Sequence, residues 1–310
     1  MQGWKRTSSR ALLGLAILAL GAPALFAGAP KRIVSVAPAF TEILYALGLG
    51  SEVIGTTSYC DYPPEARNTA KIGDSMTPNV EKILALRPDV IFCGAYKWEL
   101  PKKLRTAGVR VVEIPDAVNL ESVFANILLI GKETDRRQKA SDIVKSMKAT
   151  IEQVRRRFTA PASPPRVYME IDAGNWTIGR TSYIHEALEI AGLKNIFADR
   201  TEPYMLVTME AIVSRNPDLI LSSARASAEF RRNPAWQAVP AVQYNRIVGK
   251  EAMDWNSIVR PGPRIAEGIS RLAVLAHAQI GARASSPREQ TTCAAARAGM
   301  PALQPWDKNE

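Results

Sequence analysis

Short apolar runs alternate with amphipathic stretches along most of this chain. The run RIVSV at 32–36 has the length and β-branched content of a buried strand and breaks at Pro38. A helix is expected over 41–47, with Thr41 as its cap and Gly48 and Gly50 closing it. The same logic gives a strand at 53–57, a loop with paired prolines at 58–67, a helix at 80–86, a strand at 89–93, a helix at 100–107 and a strand at 109–114. Strand and helix in turn imply a mostly parallel sheet covered on both faces.

From 120 to 158 the alternation stops. Apolar residues at helical spacing, among them Val123, Ile127, Ile130, Ile143, Met147, Ile151 and Val154, predict one helix to about Gly131 and a long one over about 135–157. TAPASPP at 159–165 reads as a pause. Strand and helix then resume, with strands at 166–171, 219–222 and 246–248, and helices at 184–191, 209–214 and 262–280. The expected organisation is a leader at 1–29, an α/β lobe at 30–130, a linking helix at 131–160, a second α/β lobe at 161–281 and a disordered tail at 282–310, poor in periodic apolar residues. The expected fold class is α/β, two Rossmann-like lobes with mostly parallel sheets joined by one long backbone helix.

The lobes share a repeated segment. MTPNVEKILALRPDVIF, from Met76, returns 129 positions later as MLVTMEAIVSRNPDLIL, from Met205, matching at Glu81/Glu210, Ile83/Ile212, Pro88/Pro217, Asp89/Asp218 and Ile91/Ile220. Each copy reads as a short amphipathic helix with a glutamate in its first turn, a Pro-Asp turn and a buried strand. Glu42, Gly48 and Leu49 correspond in the same way to Glu186, Gly192 and Leu193. Two related lobes make the space between them the natural place for a ligand.

At the N-terminus, Lys5, Arg6 and Arg10 precede the apolar run 11–21, followed by small residues at Ala22, Ala24, Ala27 and Ala29: the layout of a secretory signal peptide, with Ala24 or Ala27 as its last residue. No cysteine stands at that point, so a chain free of lipid is expected in the periplasm. The formal charge of +10 falls to +7 without those three cations, moderate enough that no nucleic-acid partner is called for. Arg155, Arg156 and Arg157 end a helical stretch, where cations complement the dipole. Cys60, Cys93 and Cys293 are too few for a disulfide framework; export would permit a Cys60–Cys93 bridge, which the sequence leaves open. With only His185 and His277, a free-metal site built on about three histidines is not expected. No GxSxG elbow, phosphate-cradling glycine loop or HExxH helix occurs, so no enzyme is expected.

Aromatic residues mark the loops. Tyr59, Tyr62, Tyr96 and Tyr204, with Trp98, Trp176, Trp236 and Trp255, offer flat faces suited to a bulky, mostly neutral ligand. The segments SVAPAFTEILYALGLG, SYCDYPPEA, NVEKILALRPDVIF, TIGRTSYIHEALEIAGLKNIF, MEAIVSRNPDLIL and RPGPRIAEGI resemble, in this order and spacing, the helix-linked (class III) periplasmic substrate-binding proteins of ABC importers. That group carries cobalamin, haem and ferric siderophores, and the resemblance runs from Lys31 to Gln279. It implies that Glu81 and Glu210 dock onto arginines of a permease dimer with its ATPase. The cobalamin binders are most similar, which implies ligand contacts at Tyr59, Tyr62, Tyr204, Asp254, Trp255 and Arg260. Met76, with Ser75, stands where those proteins carry an aromatic before the first glutamate and is expected to join the contacts; Trp176 offers a further face, a buried place beneath the loop being the alternative. It further implies a monomer whose corrinoid is cargo, with no cofactor. Haem would ask for an axial ligand such as Tyr59 or Tyr204, and an anionic siderophore for arginines such as Arg180, Arg225 and Arg260.

Overall fold

A computed structural model describes residues 29–95, 99–158 and 162–281. The leader expected at 1–29, save Ala29, the aromatics Tyr96 and Trp98, and the tail expected at 282–310 with Cys293 lie outside the described residues.

The first sheet is built from β1 (Ile33–Ser35), β2 (Val53–Thr56), β3 (Ala70–Lys71), β4 (Val90–Gly94) and β5 (Arg110–Ile114), in the order β3-β2-β1-β4-β5 with every pairing parallel. Its crossovers are α1 (Pro38–Ala46), α2 (Val80–Ala85) and α3 (Leu100–Thr106). Two long helices follow, α4 (Leu120–Glu133) and α5 (Arg137–Arg157). The second sheet holds β6 (Arg166–Asp172), β7 (Trp176–Ile178), β8 (Lys194–Asn195), β9 (Tyr204–Leu206), β10 (Leu219–Ser222) and β11 (Ile247–Val248). With it go α6 (Tyr183–Ile190), α7 (Met209–Ser214), α8 (Ser227–Arg232), α9 (Pro240–Gln243), α10 (Asn256–Val259) and the closing α11 (Ile265–Gly281).

The mixed α/β class with mostly parallel sheets is as expected, with one local exception. The second sheet runs β11-β10-β6-β7-β9, and β7 meets both β6 and β9 antiparallel. The alternation did not announce these strands because β7 and β9 have only three residues each. At the β6–β7 turn, Gly174 and Asn175 both take positive φ, 84° and 67°, the backbone such a reversal requires.

The internal repeat is a repeat of structure. Asn79 caps α2 by accepting from the Lys82 amide at 2.7 Å, and Thr208 caps α7 by accepting from the Ala211 amide at 3.2 Å. Both helices have six residues, and both are followed by a left-handed residue before proline, Arg87 at φ 47° and Asn216 at φ 48°. Asp89 then accepts from the Lys31 and Arg32 amides, and Asp218 from the Arg166 amide, each carboxylate anchoring the start of the neighbouring central strand. Gly48 and Gly192, at φ 77° and 73°, close α1 and α6 in the same manner.

The two sheets share one large core in addition to a smaller one each. One continuous apolar cluster runs from Ile33, Val90 and Phe92 through Leu44, Ile127 and Ile130 to Ile143, Met147, Ile151, Ile184, Leu188, Leu219, Leu272 and Ala276. Helices α4 and α5 therefore lie in the core rather than bridging a gap, and α5 buries Ile143, Val144, Met147, Ile151 and Val154 while its basic face stays outside. Two smaller clusters fill the far sides of the sheets, around Tyr168, Phe230 and Trp236 and around Ile83, Ile91 and Leu104.

One very close approach within this seam is at Gly131. A Cβ there would meet the Ala140 Cβ at 2.4 Å and the Arg136 carbonyl at 3.2 Å. Overpacking costs about 1–3 kcal/mol, and alanine's helix preference over glycine returns at most about 1. Gly131→Ala is expected to lower the urea midpoint of the full chain; an unchanged or raised midpoint would contradict the close packing of α4 on α5.

Candidate functional site

In open α/β sheets the ligand lies outside the carboxyl ends of the parallel strands. In the first sheet that edge carries the 57–69 loop after β2 and the 72–79 loop after β3; in the second it carries the β6–β7 hairpin and the segments after β10 and β11. Six of the nine exposed large apolar side chains among the described residues lie on these segments and on the adjoining β9: Tyr59 at 60%, Tyr62 at 39% and Met76 at 72% on the first lobe, and Trp176 at 41%, Tyr204 at 42% and Leu206 at 61% on the second; Val118, Leu128 and Tyr244 are exposed elsewhere. Trp176 lies directly opposite Leu206 in the β7–β9 ladder. Behind Tyr204, the buried Tyr183 donates to the Val259 carbonyl at 2.8 Å and is also hydrogen-bonded to the Tyr204 phenol.

Charges of both lobes meet beside the tyrosine loop. Glu42 on α1 is only 4% exposed and receives Arg264 in bidentate fashion, Nε to Oε2 at 2.8 Å and Nη2 to Oε1 at 2.8 Å. Arg260 donates to the same Glu42 Oε1 at 3.1 Å, to Asp61 Oδ1 at 2.7 Å and to the Tyr59 carbonyl at 3.3 Å. Arg264 also pairs with Asp254 and stacks over the Tyr62 ring at 3.8 Å. Burial alone would push the Asp61 carboxyl up, but Arg260 outweighs it and holds the group below the usual range.

A second pairing sits under the Trp176 hairpin. Glu170 is fully buried, accepts from Ser222 Oγ at 2.6 Å and meets Arg225 at 3.2 Å. Arg225 donates to Asn175 Oδ1 at 3.0 Å, next to Trp176, and lies over the Phe230 and Trp236 rings. Burial pushes the Glu170 carboxyl up, against the pull of Ser222 and Arg225.

Glu81 and Glu210 stand in the first turns of the capped helices α2 and α7, both exposed. Hydrogen bonds from its own amide and from Thr208 hold the Glu210 carboxyl below its ordinary value.

Of the ligand contacts expected from sequence, Tyr59, Tyr62, Met76, Trp176 and Tyr204 are exposed along this edge, and Asp254 and Arg260 join it through the ion pairs. Trp255 is a correction: it is 5% exposed within the shared core, its indole N–H donating to the Gly249 carbonyl at 3.1 Å, so it backs the rim instead of facing it. Trp236 is likewise core, and Arg180 is exposed with no side-chain partner among the described residues. Cys60 and Cys93 are free and buried apart, Cys60 against Thr41 and Thr57 at 3.1 and 3.2 Å, Cys93 with its thiol pushed up to about 11 by burial. His277 contacts the Ala191 carbonyl at 2.8 Å and stacks on Phe158, and His185 lies beside Glu189 and Asn195. Sequence reasoning passed over Glu42, Asp61, Arg264 and Leu206. The one signal for Glu42 was its match to Glu186, which instead accepts from the Leu120 amide at the start of α4 at 2.8 Å.

The sequence profile described as "Periplasmic binding protein" matches residues 33–251. An uncharacterized ABC transporter substrate-binding lipoprotein of Bacillus subtilis (strain 168), YvrC, is 34% identical over 253 residues, 79% of this chain and 79% of its own length. A vitamin B12-binding protein of Vibrio cholerae serotype O1 is 30% identical over 247 residues, 78% of this chain and 87% of its own. The periplasmic haem-binding protein RhuT from Roseiflexus sp. RS-1 superposes with a TM-score of 0.72 at 24% identity, over 80% of this chain and 98% of that one, a likeness of fold. The chain belongs to the periplasmic binding protein family and is a substrate-binding protein of an ABC transporter, not an enzyme.

Proposed function

We propose that this protein captures cobalamin or a related corrinoid in the periplasm, between the units at 30–130 and 161–281 joined by the segment 131–160, and delivers it to a permease dimer with its ATPase. The observation that carries this reading is the composition of the rim. Large apolar faces are exposed at Tyr59, Tyr62, Met76, Trp176 and Tyr204, while Arg225 and Arg260, two of the three cations a ferric siderophore would seek, are already paired to the buried Glu170 and Glu42. Such a surface suits a wide, amphiphilic, nearly neutral ligand better than a compact anion. Asp254 and Arg260 contribute polar contacts at the edge, and Trp255 supports them from the core. The B12-binding relative fits this choice.

Haem is the second reading, favoured by one observation: the Tyr59 phenol is exposed and has no partner among the described residues, as an axial ligand would require. Delivery is assigned to Glu81 and Glu210, whose exposed carboxylates occupy equivalent turns on the two halves and suit bidentate pairing with permease arginines. A monomer suffices for this task, because one chain supplies both glutamates.

Calorimetry of the full chain against cyanocobalamin, haemin and a ferric siderophore decides among the ligands. Submicromolar binding of cyanocobalamin is expected, and absence of heat at micromolar protein removes the corrinoid. Trp176→Ala and Tyr59→Ala are each expected to weaken binding by about tenfold or more, roughly 1.4 kcal/mol; affinity unchanged in both would place the ligand elsewhere. For delivery, the double variant Glu81→Arg with Glu210→Arg should bind ligand as the parent does and fail to support uptake in cells. Uptake at the parental rate would end the docking assignment.

A further inference from the structure

The 57–63 segment, which carries Tyr59 and Tyr62, is held from two sides. From its own lobe, Lys71 Nζ donates to the Cys60 carbonyl at 3.2 Å, the Ala66 carbonyl at 2.9 Å and Thr56 Oγ1 at 2.9 Å. From the other lobe come Arg260, bonded to the Asp61 side chain and the Tyr59 carbonyl, and Arg264, stacked on Tyr62. These two arginines lie about two hundred residues away in sequence, on the approach to α11, and one side chain receives both: Glu42, which carries no aromatic face and is nearly closed to solvent.

The geometry points to Glu42 as a positioning residue: by clamping Arg260 and Arg264 it fixes the tyrosine segment against the second lobe and so presets the ligand surface. Without the Glu42 carboxylate, Arg264 keeps only Asp254, which is half-exposed and on its own lobe, so the fork that stacks on Tyr62 loses its anchor in the first lobe. Arg260 keeps Asp61, a member of the loop itself, so the two move together instead of being held to α1. The guanidinium is suited to this role because its planar fork fixes direction as well as distance, which a lysine does not. Arg264 therefore depends on Glu42 for orientation, and Tyr62 depends on Arg264. The affinity arm of this inference rests on the ligand reading above; the structural arm does not.

The test compares full-length parent, Glu42→Gln and Arg264→Lys by hydrogen exchange and by calorimetry with cyanocobalamin. Glu42→Gln keeps the size of the side chain and removes its charge, while Arg264→Lys keeps the charge and removes the fork, so the second variant answers if the first does not fold. The informative amides are Ser58 and Cys60, which bond to the Gly73 and Thr57 carbonyls in the parent. Exchange at these amides is expected to quicken at least tenfold, with β4 and α5 protected as before, and cyanocobalamin affinity to fall about tenfold. Equal exchange at the loop in both variants, or faster exchange spread evenly over the molecule, would overturn the positioning role, as would faster loop exchange with affinity unchanged. If the parent itself takes up no cyanocobalamin, the corrinoid reading fails on its own, and the exchange comparison still decides whether Glu42 fixes the loop.

Discussion

The arrangement of this molecule depends on the apolar seam in which α4 and α5 lie between the two sheets. At Gly131 the α4 backbone comes so close to Ala140 of α5 that no side chain fits between, and the buried face of α5 is continuous with residues of α1, α6 and α11. Close-packed interiors do not deform smoothly, so moving the sheets apart means separating this seam. Such a filled core resists wide hinge motion in a way that a pair of loose connecting strands would not.

Next to the α1 and α11 residues of this seam, the lobes also meet through ions. The pairing of Glu42 with Arg260 and Arg264 joins α1 to the approach of α11, and removing one partner of such a buried set leaves a desolvated charge at a cost of roughly 3–5 kcal/mol. Against a hydrophobic pair of the same volume the net gain would be small, so what the network contributes is direction and register more than stability. Glu170 and Arg225 repeat the arrangement under the Trp176 hairpin. In both places a buried carboxylate answers an arginine that would otherwise face the rim, and an aromatic side chain is exposed next to it.

Local features were legible in the sequence and distant ones were not. The repeated Glu, Pro-Asp and apolar strand could be read because most parts act within a few residues: a cap at Asn79 or Thr208, a six-residue helix and a left-handed residue before proline. The tie of Asp89 to Lys31 and of Asp218 to Arg166, 58 and 52 residues apart, was as hidden as any distant contact. Glu42 looked like one more position on an amphipathic helix, since its partners lie 218 and 222 residues away. Trp255 misled for a related reason. A tryptophan near a loop suggests a ligand face, yet its indole N–H finds the Gly249 carbonyl and its ring fills the shared core, contacts that spacing does not reveal. Of the exposed set, Tyr59, Tyr62 and Tyr204 were pointed to by family resemblance and Trp176 by its place among the loop aromatics, none of them by periodicity.

The same seam links ligand capture to the proposed docking step. Glu81 and Glu210 sit on helices that begin shortly after the loop carrying Met76 and the strand carrying Tyr204, and the turn after each helix is tied to the central strand by Asp89 or Asp218. The distance between the two carboxylates is therefore set by the same packing that sets the distance between Tyr59 and Trp176. A ligand can bias that distance only by the difference in its affinity for the two spacings, and a filled core admits little difference. A permease that reads only the two glutamates would then find loaded and empty forms nearly alike. On the proposed reading, discrimination would then fall to small shifts of the rim, where Met76, Tyr204 and Leu206 are exposed, or to whatever part of the ligand stays uncovered there.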